Sequence, residues 1–213
     1  MTGTKRVFQI LLALTGAMQL VACSKTVQWE EEVPLNTGEV IWVKRSMPWA
    51  YKGGFGNPFD MAMRATFNQT IGFKYSGKEY SYTGKAQVLW IAIAPDQKPV
   101  LVANPGFSGW DTENFFSCVV PFYVQLVPDG TGKHWVWPEK IEPWLYNLPA
   151  NLMVVIPKLN EPLEVRYSAK DRDERDASYR RETPPNQRID PHFDNQGRCA
   201  KNDPTMKPTR SEK

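Results

Sequence analysis

The chain has 213 residues, with 26 Lys and Arg against 23 Asp and Glu, which gives a formal net charge of +3 at pH 7. So small a balance creates no field that would steer nucleic acid or an acidic substrate, and we therefore expect no nucleic-acid partner. The length suits one domain with a real hydrophobic core and makes a second full domain unexpected.

The N-terminal residues 1–22 have the layout of a secretory signal. Lys5 and Arg6 precede an uncharged, largely apolar run over residues 7–21. A membrane-spanning helix needs roughly twenty predominantly apolar residues, so this run is too short to span. We interpret residues 1–22 as a signal peptide that is removed on export.

The four residues that close this signal are Leu20-Val21-Ala22-Cys23. They resemble the lipobox of bacterial lipoproteins, and the resemblance covers about two dozen residues at the N-terminus. It implies cleavage before Cys23, attachment of diacylglycerol to its sulfur and palmitate-like acylation of the new N-terminus. With Ser24 rather than aspartate next, the resemblance favours the outer membrane, facing the periplasm or the surface. The alternative is a coincidental cysteine at the end of an ordinary signal.

The mature chain is predicted to begin with a lipidated tether, residues 23–28, before a β-rich domain, residues 29–167. Two β-favouring runs, residues 27–33 and 39–45, flank Pro-Leu-Asn-Thr-Gly, which predicts a hairpin. Apolar residues on both faces of the second run favour a central strand. The acidic triplet in the first run, residues 30–32, is expected to form a solvated face.

Two stretches rich in aromatic, Gly and Pro residues, 46–62 and 105–117, are predicted to be long loops. Aromatic side chains from these stretches are candidates for a flat ligand platform: Trp49, Tyr51, Phe55, Phe107 and Trp110. The alternative is that most of the eight tryptophans fill the core, as we expect above all for Trp42 and Trp90.

The rest of the domain consists of short apolar or alternating runs separated by turn residues, which is typical of an antiparallel β-sandwich or a barrel-like all-β domain. The most apolar run is predicted to pair with its successor at the centre of the core, and a single helical turn is expected within residues 139–148. The predicted strands are residues 66–75, 79–83, 86–94, 100–103, 118–127, 134–137, 152–156 and 163–167.

Beyond residue 167 the composition changes to charged residues and prolines. Residues 168–213 hold too few large apolar side chains to form a core, which predicts a largely flexible tail with an exposed helix over residues 170–182. Besides Cys23, the chain contains Cys118 and Cys199. In an exported protein these two either form a disulfide or remain separate free thiols.

The sequence contains little that points to catalysis. His134 follows a turn and precedes Trp135, an ordinary strand-end position, and His192 lies between Asp190 and Asp194 in the tail. The chain contains no nucleophile-elbow motif, phosphate-binding loop or zinc-protease motif. We therefore predict no catalytic residue, no metal site and no cofactor.

These features favour a non-enzymatic, lipid-anchored protein of the cell envelope whose β domain binds or assembles with an envelope protein or cell-wall glycan. One alternative is a hydrolase of cell-wall or polysaccharide material that uses carboxylates distant in sequence. Another is a surface-exclusion lipoprotein of a mobile element. The sequence does not separate these hypotheses.

Overall fold

The computed structural model of the chain describes residues 24–54, 57–66, 68–105, 122–138, 140–161 and 164–191. Within these residues two largely antiparallel β-sheets pack together through a shared apolar core. The predicted all-β sandwich is therefore confirmed.

Ten strands and one α-helix form the framework of the described part of the chain. In chain order they are β1 Lys25–Pro34, β2 Val40–Gly54, β3 Asn57–Ala65, β4 Gln69–Tyr75, β5 Lys78–Gly84, β6 Gln87–Ile93, β7 Pro99–Asn104, β8 Val124–Pro128, β9 Trp135–Val136, β10 Glu164–Tyr167 and α1 Ala169–Glu182. Two short 3-10 helices, Pro143–Leu145 and Pro184–Asn186, lie in the connections.

The larger sheet is built around the predicted first hairpin. The strands β1 and β2 pair antiparallel over the whole length of β1, and β10 adds to the other edge of β1 in parallel. On the far edge of β2, β4 pairs with residues 43–46 and β3 with residues 49–54, and β5 pairs with β4. The strand β2 is therefore central, as the sequence predicted.

The end of β2 forms a two-stranded ribbon with β3. The last pair between β1 and β2 joins Lys25 to Trp49, so residues 50–54 of β2 pair only with β3 among the described residues. We call residues 50–54 and 57–65 the ribbon. It projects from the sheet at the end where β1 begins.

The smaller sheet has the order β6-β7-β8-β9 within the described residues. One face of it packs on the larger sheet, and a second apolar cluster covers its other face. Burial on both faces explains why β6 reads as a continuous apolar run rather than an alternating one. Trp90 of β6 is 1% exposed, which confirms its predicted place in the core.

The tight turn between β4 and β5 contains two residues with positive φ. Ser76 has φ of 47° and Gly77 has φ of 75°, as a two-residue hairpin loop matched to the strand twist requires. The register places Phe73 opposite Tyr80, and their rings stack with centroids 5.4 Å apart. Aromatic pairs across neighbouring strands stabilise a hairpin of this kind.

The helix α1 begins with a capping box. The Ser168 hydroxyl accepts a hydrogen bond from the Asp171 backbone N–H, and the Asp171 carboxylate accepts one from the Ser168 backbone N–H. The helix was predicted as an exposed one, but Arg172 and Asp176 are buried, at 2% and 0% exposure. Residues 169–191 of the predicted tail therefore pack on the β domain.

Four other sequence predictions need correction. The stretch 46–62 was predicted as a loop, but its described residues belong to β2 and β3, and residues 25–28 of the predicted tether belong to β1. Residues 152–156 are not a strand. Trp42 was expected in the core, but its side chain is 46% exposed because it points to the outer face of the larger sheet.

Candidate functional site

The predicted aromatic platform is described only in part. Trp49 is half-buried and packs against a third apolar cluster, whereas Tyr51 is 49% exposed. Because side chains alternate along a strand, both lie on the same face of β2. The other three members, Phe55, Phe107 and Trp110, lie outside the described residues. The platform therefore stays a prediction.

The residues predicted for covalent chemistry also lie outside the described part of the chain. They are Cys23 for lipidation and Cys118 and Cys199 for a disulfide. His192 lies outside it as well. His134 is exposed, and its backbone carbonyl accepts a hydrogen bond from the Asp129 N–H at 2.8 Å. Lipidation and disulfide formation therefore remain predictions.

A buried ion pair lies inside the larger sheet. The Arg45 guanidinium donates from Nη1 to Glu31 Oε1 at 2.8 Å and from Nη2 to Gln69 Oε1 at 2.7 Å. Glu31 is 0% exposed and Arg45 3%. The Arg45 guanidinium also lies over the Trp29 ring, 4.9 Å from its centroid. The acidic triplet is thus not a fully solvated face, because its middle carboxylate is buried and paired.

The ion pair holds a stretch of backbone that belongs to no strand. We call residues 150–156 the bridging segment, because its side chains enter all three apolar clusters. The Met153 N–H donates to Glu31 Oε2 at 2.7 Å, and the Met153 carbonyl accepts from Arg45 at 2.7 Å. A buried backbone without strand partners must find other hydrogen bonds, and at Met153 side chains supply them.

The helix α1 holds the same segment from the other side. The Asp176 carboxylate accepts hydrogen bonds from the N–H groups of Val154 at 2.8 Å and Val155 at 2.9 Å. Arg180 pairs with Asp176 at 3.0 Å and donates to the carbonyls of residues 150 and 152. The charged residues of α1 therefore replace the strand partners that the bridging segment lacks.

Two further arginines of α1 extend this contact. Arg172 donates to the carbonyls of Glu32 at 2.8 Å and Asn151 at 2.6 Å, which links β1 to the bridging segment. Arg175 donates to the Val155 carbonyl and forms two bonds with the Glu161 carboxylate. The Arg175 guanidinium lowers the pKa of Glu161 to about 2.

Two asparagines close the edge of β6. The Asn151 amide accepts from the Ile91 N–H at 2.9 Å and donates to the Ile91 carbonyl at 2.7 Å. Asn36, in the β1–β2 turn, makes the same pair of bonds with Ile93, at 2.7 and 2.9 Å. Each side-chain amide thus makes the two hydrogen bonds that one backbone residue of a neighbouring strand would make. This edge is thus blocked at Ile91 and Ile93 against pairing with another chain.

The buried carboxylates of the interior are engaged in structural contacts. Glu31 and Asp176 are the fully buried carboxylates among the described residues, and both accept from backbone N–H groups and an arginine. A general acid or base needs an oxygen free to meet a substrate proton. This arrangement favours a structural role for both carboxylates.

An exposed apolar group lies on the outer face of the larger sheet. Trp42 is 46% exposed and its strand neighbour Val40 51%. The Arg166 guanidinium of β10 lies 5.4 Å from the centre of the Trp42 ring, and its Nε pairs with Glu30 at 2.7 Å. Lys44 pairs with the same carboxylate at 3.4 Å. We call these five side chains the Trp42 face.

Sequence reasoning missed both the Trp42 face and the buried ion pair. The alternation of inward and outward side chains along β1 and β2 nevertheless indicates both of them. In β1, Val27, Trp29, Glu31 and Val33 share the buried face, and in β2, Ile41, Val43, Arg45 and Met47 do. Opposite charges at the inward positions of two strands already predicted to pair indicate an internal ion pair. The same alternation places Trp42 on the opposite face from Arg45.

The described residues offer neither a metal site nor a membrane-spanning helix. They contain no group of three or more His, Cys, Asp or Glu side chains that is arranged to hold a metal ion. No α-helix in this part of the chain combines the length and the apolar character needed to cross a bilayer. Comparison with protein-family models, with curated proteins and with solved structures finds no match.

Proposed function

We propose that the protein is a lipid-anchored component of the cell envelope whose β-sandwich has a non-catalytic binding or assembly role. The anchor is Cys23, and the surface that supports the binding role is the Trp42 face. The partner is an envelope protein or a cell-wall glycan. No nucleic acid and no cofactor is required.

The exposure of Trp42 is the observation that carries this proposal. A tryptophan side chain buries on the order of 250 Å² when it is fully covered, so an exposure of 46% leaves on the order of 100 Å² for a partner. Covering that area is worth roughly 2 to 3 kcal/mol before the costs of association. The ring lies on the central strand β2, and the Arg166 guanidinium beside it supplies hydrogen-bond donors. A rigid aromatic group with polar neighbours is a common binding hot spot.

The engagement of the buried carboxylates supports a binding role over the alternative of a hydrolase. Glycoside hydrolysis requires two carboxyl groups that face a shared substrate cavity. Glu31 and Asp176 instead contact backbone N–H groups of the bridging segment from opposite sides. A Glu31 or Asp176 variant should therefore lose stability rather than a catalytic activity.

The anchor is tested by acyl labelling of the full chain in the producing cell. We expect radiolabelled palmitate on the wild-type protein and none on Cys23→Ser, which should leave the membrane fraction or remain unprocessed. If Cys23→Ser were processed and membrane-bound to the same extent as wild type, the anchoring proposal would be wrong.

The binding role is tested with full-length variants in the envelope. Co-sedimentation with purified cell-wall glycan and chemical crosslinking to envelope proteins separate the two kinds of partner. We expect Trp42→Ala to weaken whichever association is present by about 2 kcal/mol, or roughly thirtyfold. Val136→Ala is the matched control, because Val136 is 54% exposed but belongs to the smaller sheet. Equal binding by both variants would refute the role of the Trp42 face.

A further inference from the structure

We propose that the ribbon is a membrane-contacting element and that Tyr51 lies at the depth of the lipid headgroups. The partner of this surface is the lipid bilayer in which Cys23 is anchored. The inference rests on the proposed lipidation of Cys23 and adds an orientation of the domain on the membrane, which lipidation alone does not specify.

The first step is the short distance between the anchor and the sheet. Only Ser24 separates Cys23 from Lys25, the first residue of β1. Two residues of fully extended chain span at most about 7 Å. An anchored Cys23 therefore holds this end of the sandwich at the bilayer surface and gives it little freedom to move away.

The second step is the direction of the ribbon. The strands β1 and β2 are antiparallel, and Lys25 pairs with Trp49. From Trp49 the strand β2 continues for five more residues to Gly54, in the direction from which β1 emerges. At about 3.4 Å per residue, this continuation measures about 17 Å along the strand.

The third step compares how far the ribbon and Cys23 each reach beyond the level of Lys25. The ribbon extends about 17 Å beyond the level of Lys25, whereas Cys23 reaches at most about 7 Å beyond it. The ribbon thus passes the level of Cys23 by roughly 10 Å. If the lipid of Cys23 is in the bilayer, the ribbon must enter the headgroup region or lie flat along the surface. Tyr51, two residues past Trp49, is level with Cys23 at its full extension.

The described side chains at this end fit such a surface. Tyr51 is 49% exposed and pairs across the ribbon with Met63. Tyrosine is enriched at membrane interfaces because its ring is apolar and its hydroxyl is polar. Arg64 and Lys25 are exposed close by and are suited to anionic headgroups. The opposite end of the same strand supplies the contrast, because Val40 is 51% exposed but eleven residues away, about 37 Å along the strand.

The test uses the full chain in the producing cell with the photoreactive amino acid p-benzoylphenylalanine at Tyr51 or at Val40. The two positions are equally exposed and differ in their distance from the anchor. After irradiation, the protein is purified and its phospholipid adducts are counted by mass spectrometry. We expect at least tenfold more lipid adduct at position 51 than at position 40. A third variant with the probe at Arg64 should also give adduct, and it replaces position 51 if that variant fails to fold.

The outcomes separate this inference from the proposed anchor. Acylated protein with equal adduct at positions 40 and 51, or with none at positions 51 and 64, would overturn the ribbon contact and leave the anchor standing. Protein without acyl chains, judged by its intact mass, would overturn the anchor and the ribbon contact together. Acylated protein with adduct confined to positions 51 and 64 supports both.

Discussion

The contact between α1 and the bridging segment makes a sharp prediction for Asp176. This residue is 0% exposed, and its two oxygens accept hydrogen bonds from the N–H groups of Val154 and Val155 and from Arg180. The substitution Asp176→Ala removes these acceptors and leaves two N–H groups and part of a guanidinium group without a partner. We expect it to be among the most destabilising single changes in the domain.

The magnitude follows from the groups left unpaired. A buried N–H without a partner costs about 1 to 3 kcal/mol, and removal of one member of a buried ion pair costs about 3 to 5 kcal/mol in all. Arg180 keeps its bonds to the carbonyls of residues 150 and 152, which limits its share of the loss. We therefore expect Asp176→Ala to lower the free energy of unfolding by about 4 kcal/mol. Asp176→Asn keeps one acceptor oxygen, and we expect about half that loss.

The assay is urea unfolding of the purified protein at pH 7, followed by tryptophan fluorescence. With a slope of about 2 kcal/mol per molar urea, a loss of 4 kcal/mol lowers the midpoint by about 2 M. The matched control is Glu174→Gln on the same helix, because its carboxylate is 68% exposed and pairs with Lys170, which is also exposed. We expect the control to change the stability by less than 1 kcal/mol. Equal midpoints for Asp176→Ala and the control would refute the reasoning.

Three further predictions concern titration and the closed sheet edge. Burial raises the pKa of Tyr82 to about 12. The contribution of its neutral phenol to stability is therefore complete below the ordinary pKa near 10 and is lost as the pH rises from 10 to 12. In unfolding experiments, Tyr82→Phe should reduce that alkaline loss of stability. The Arg175 guanidinium lowers the pKa of Glu161 from 4.5 to about 2, so the stabilisation is present above pH 4.5 and is lost as the pH falls toward 2. Glu161→Gln should cost about 1 kcal/mol at pH 7, since the pair is partly exposed, and flatten the acid dependence of the thermal midpoint. At the closed sheet edge, Asn151→Ala should lower the free energy of unfolding by about 3 kcal/mol and Asn36→Ala by only about 1 kcal/mol, because Asn151 is buried and Asn36 is exposed. Calorimetry measures both losses, and equal losses would contradict the role of burial.

Local signals in the sequence were sufficient for the hairpins. The turn residues between β1 and β2 and the Pro-bounded turn after β6 each lie between runs that pair as predicted. The Ser-Gly-Lys turn after Tyr75 likewise separates two predicted strands, and these pair with each other. In each case the signal and the structure lie within about twenty residues of one another. Neighbouring strands joined by short turns need no information from distant parts of the chain.

The stretch 46–62 was predicted as a loop because its glycines and prolines are typical of loops. On one side of β2, residues 43–46 pair with β4 and residues 49–54 pair with β3, so residues 47 and 48 have no partner on that side. Pro48, which has no N–H to donate, is tolerated in this gap. The Pro48 carbonyl still accepts from the Thr66 N–H at 2.8 Å. Proline indicates an interrupted ladder here rather than the end of the strand.

The bridging segment could not be predicted from local pattern. Its apolar sequence resembles a strand, but apart from the N–H groups of residues 150–152, which donate to the carbonyls of Gln187 and Leu89, its backbone bonds to distant side chains. One of these is Glu31, which is 122 residues from Met153. The charged residues of α1 gave no local sign of burial either, because a helix rich in arginine and acid normally faces solvent. Only the tertiary structure shows that Asp176 and Arg180 replace a neighbouring strand.

The proposed membrane contact and the Trp42 face together predict how the domain responds to a longer tether. Trp42 lies seven residues from Trp49 along β2, or about 24 Å further from the anchored end. A flexible ten-residue Gly/Ser insertion after Ser24 adds a mean reach of about 17 Å and should allow the domain to leave the bilayer. We expect the lipid adduct at Tyr51 to fall severalfold, while the urea midpoint and the partner binding through Trp42 stay unchanged. An undiminished adduct would mean that the ribbon binds lipid by its own affinity, and a loss of partner binding would mean that the distance of the Trp42 face from the membrane is itself required.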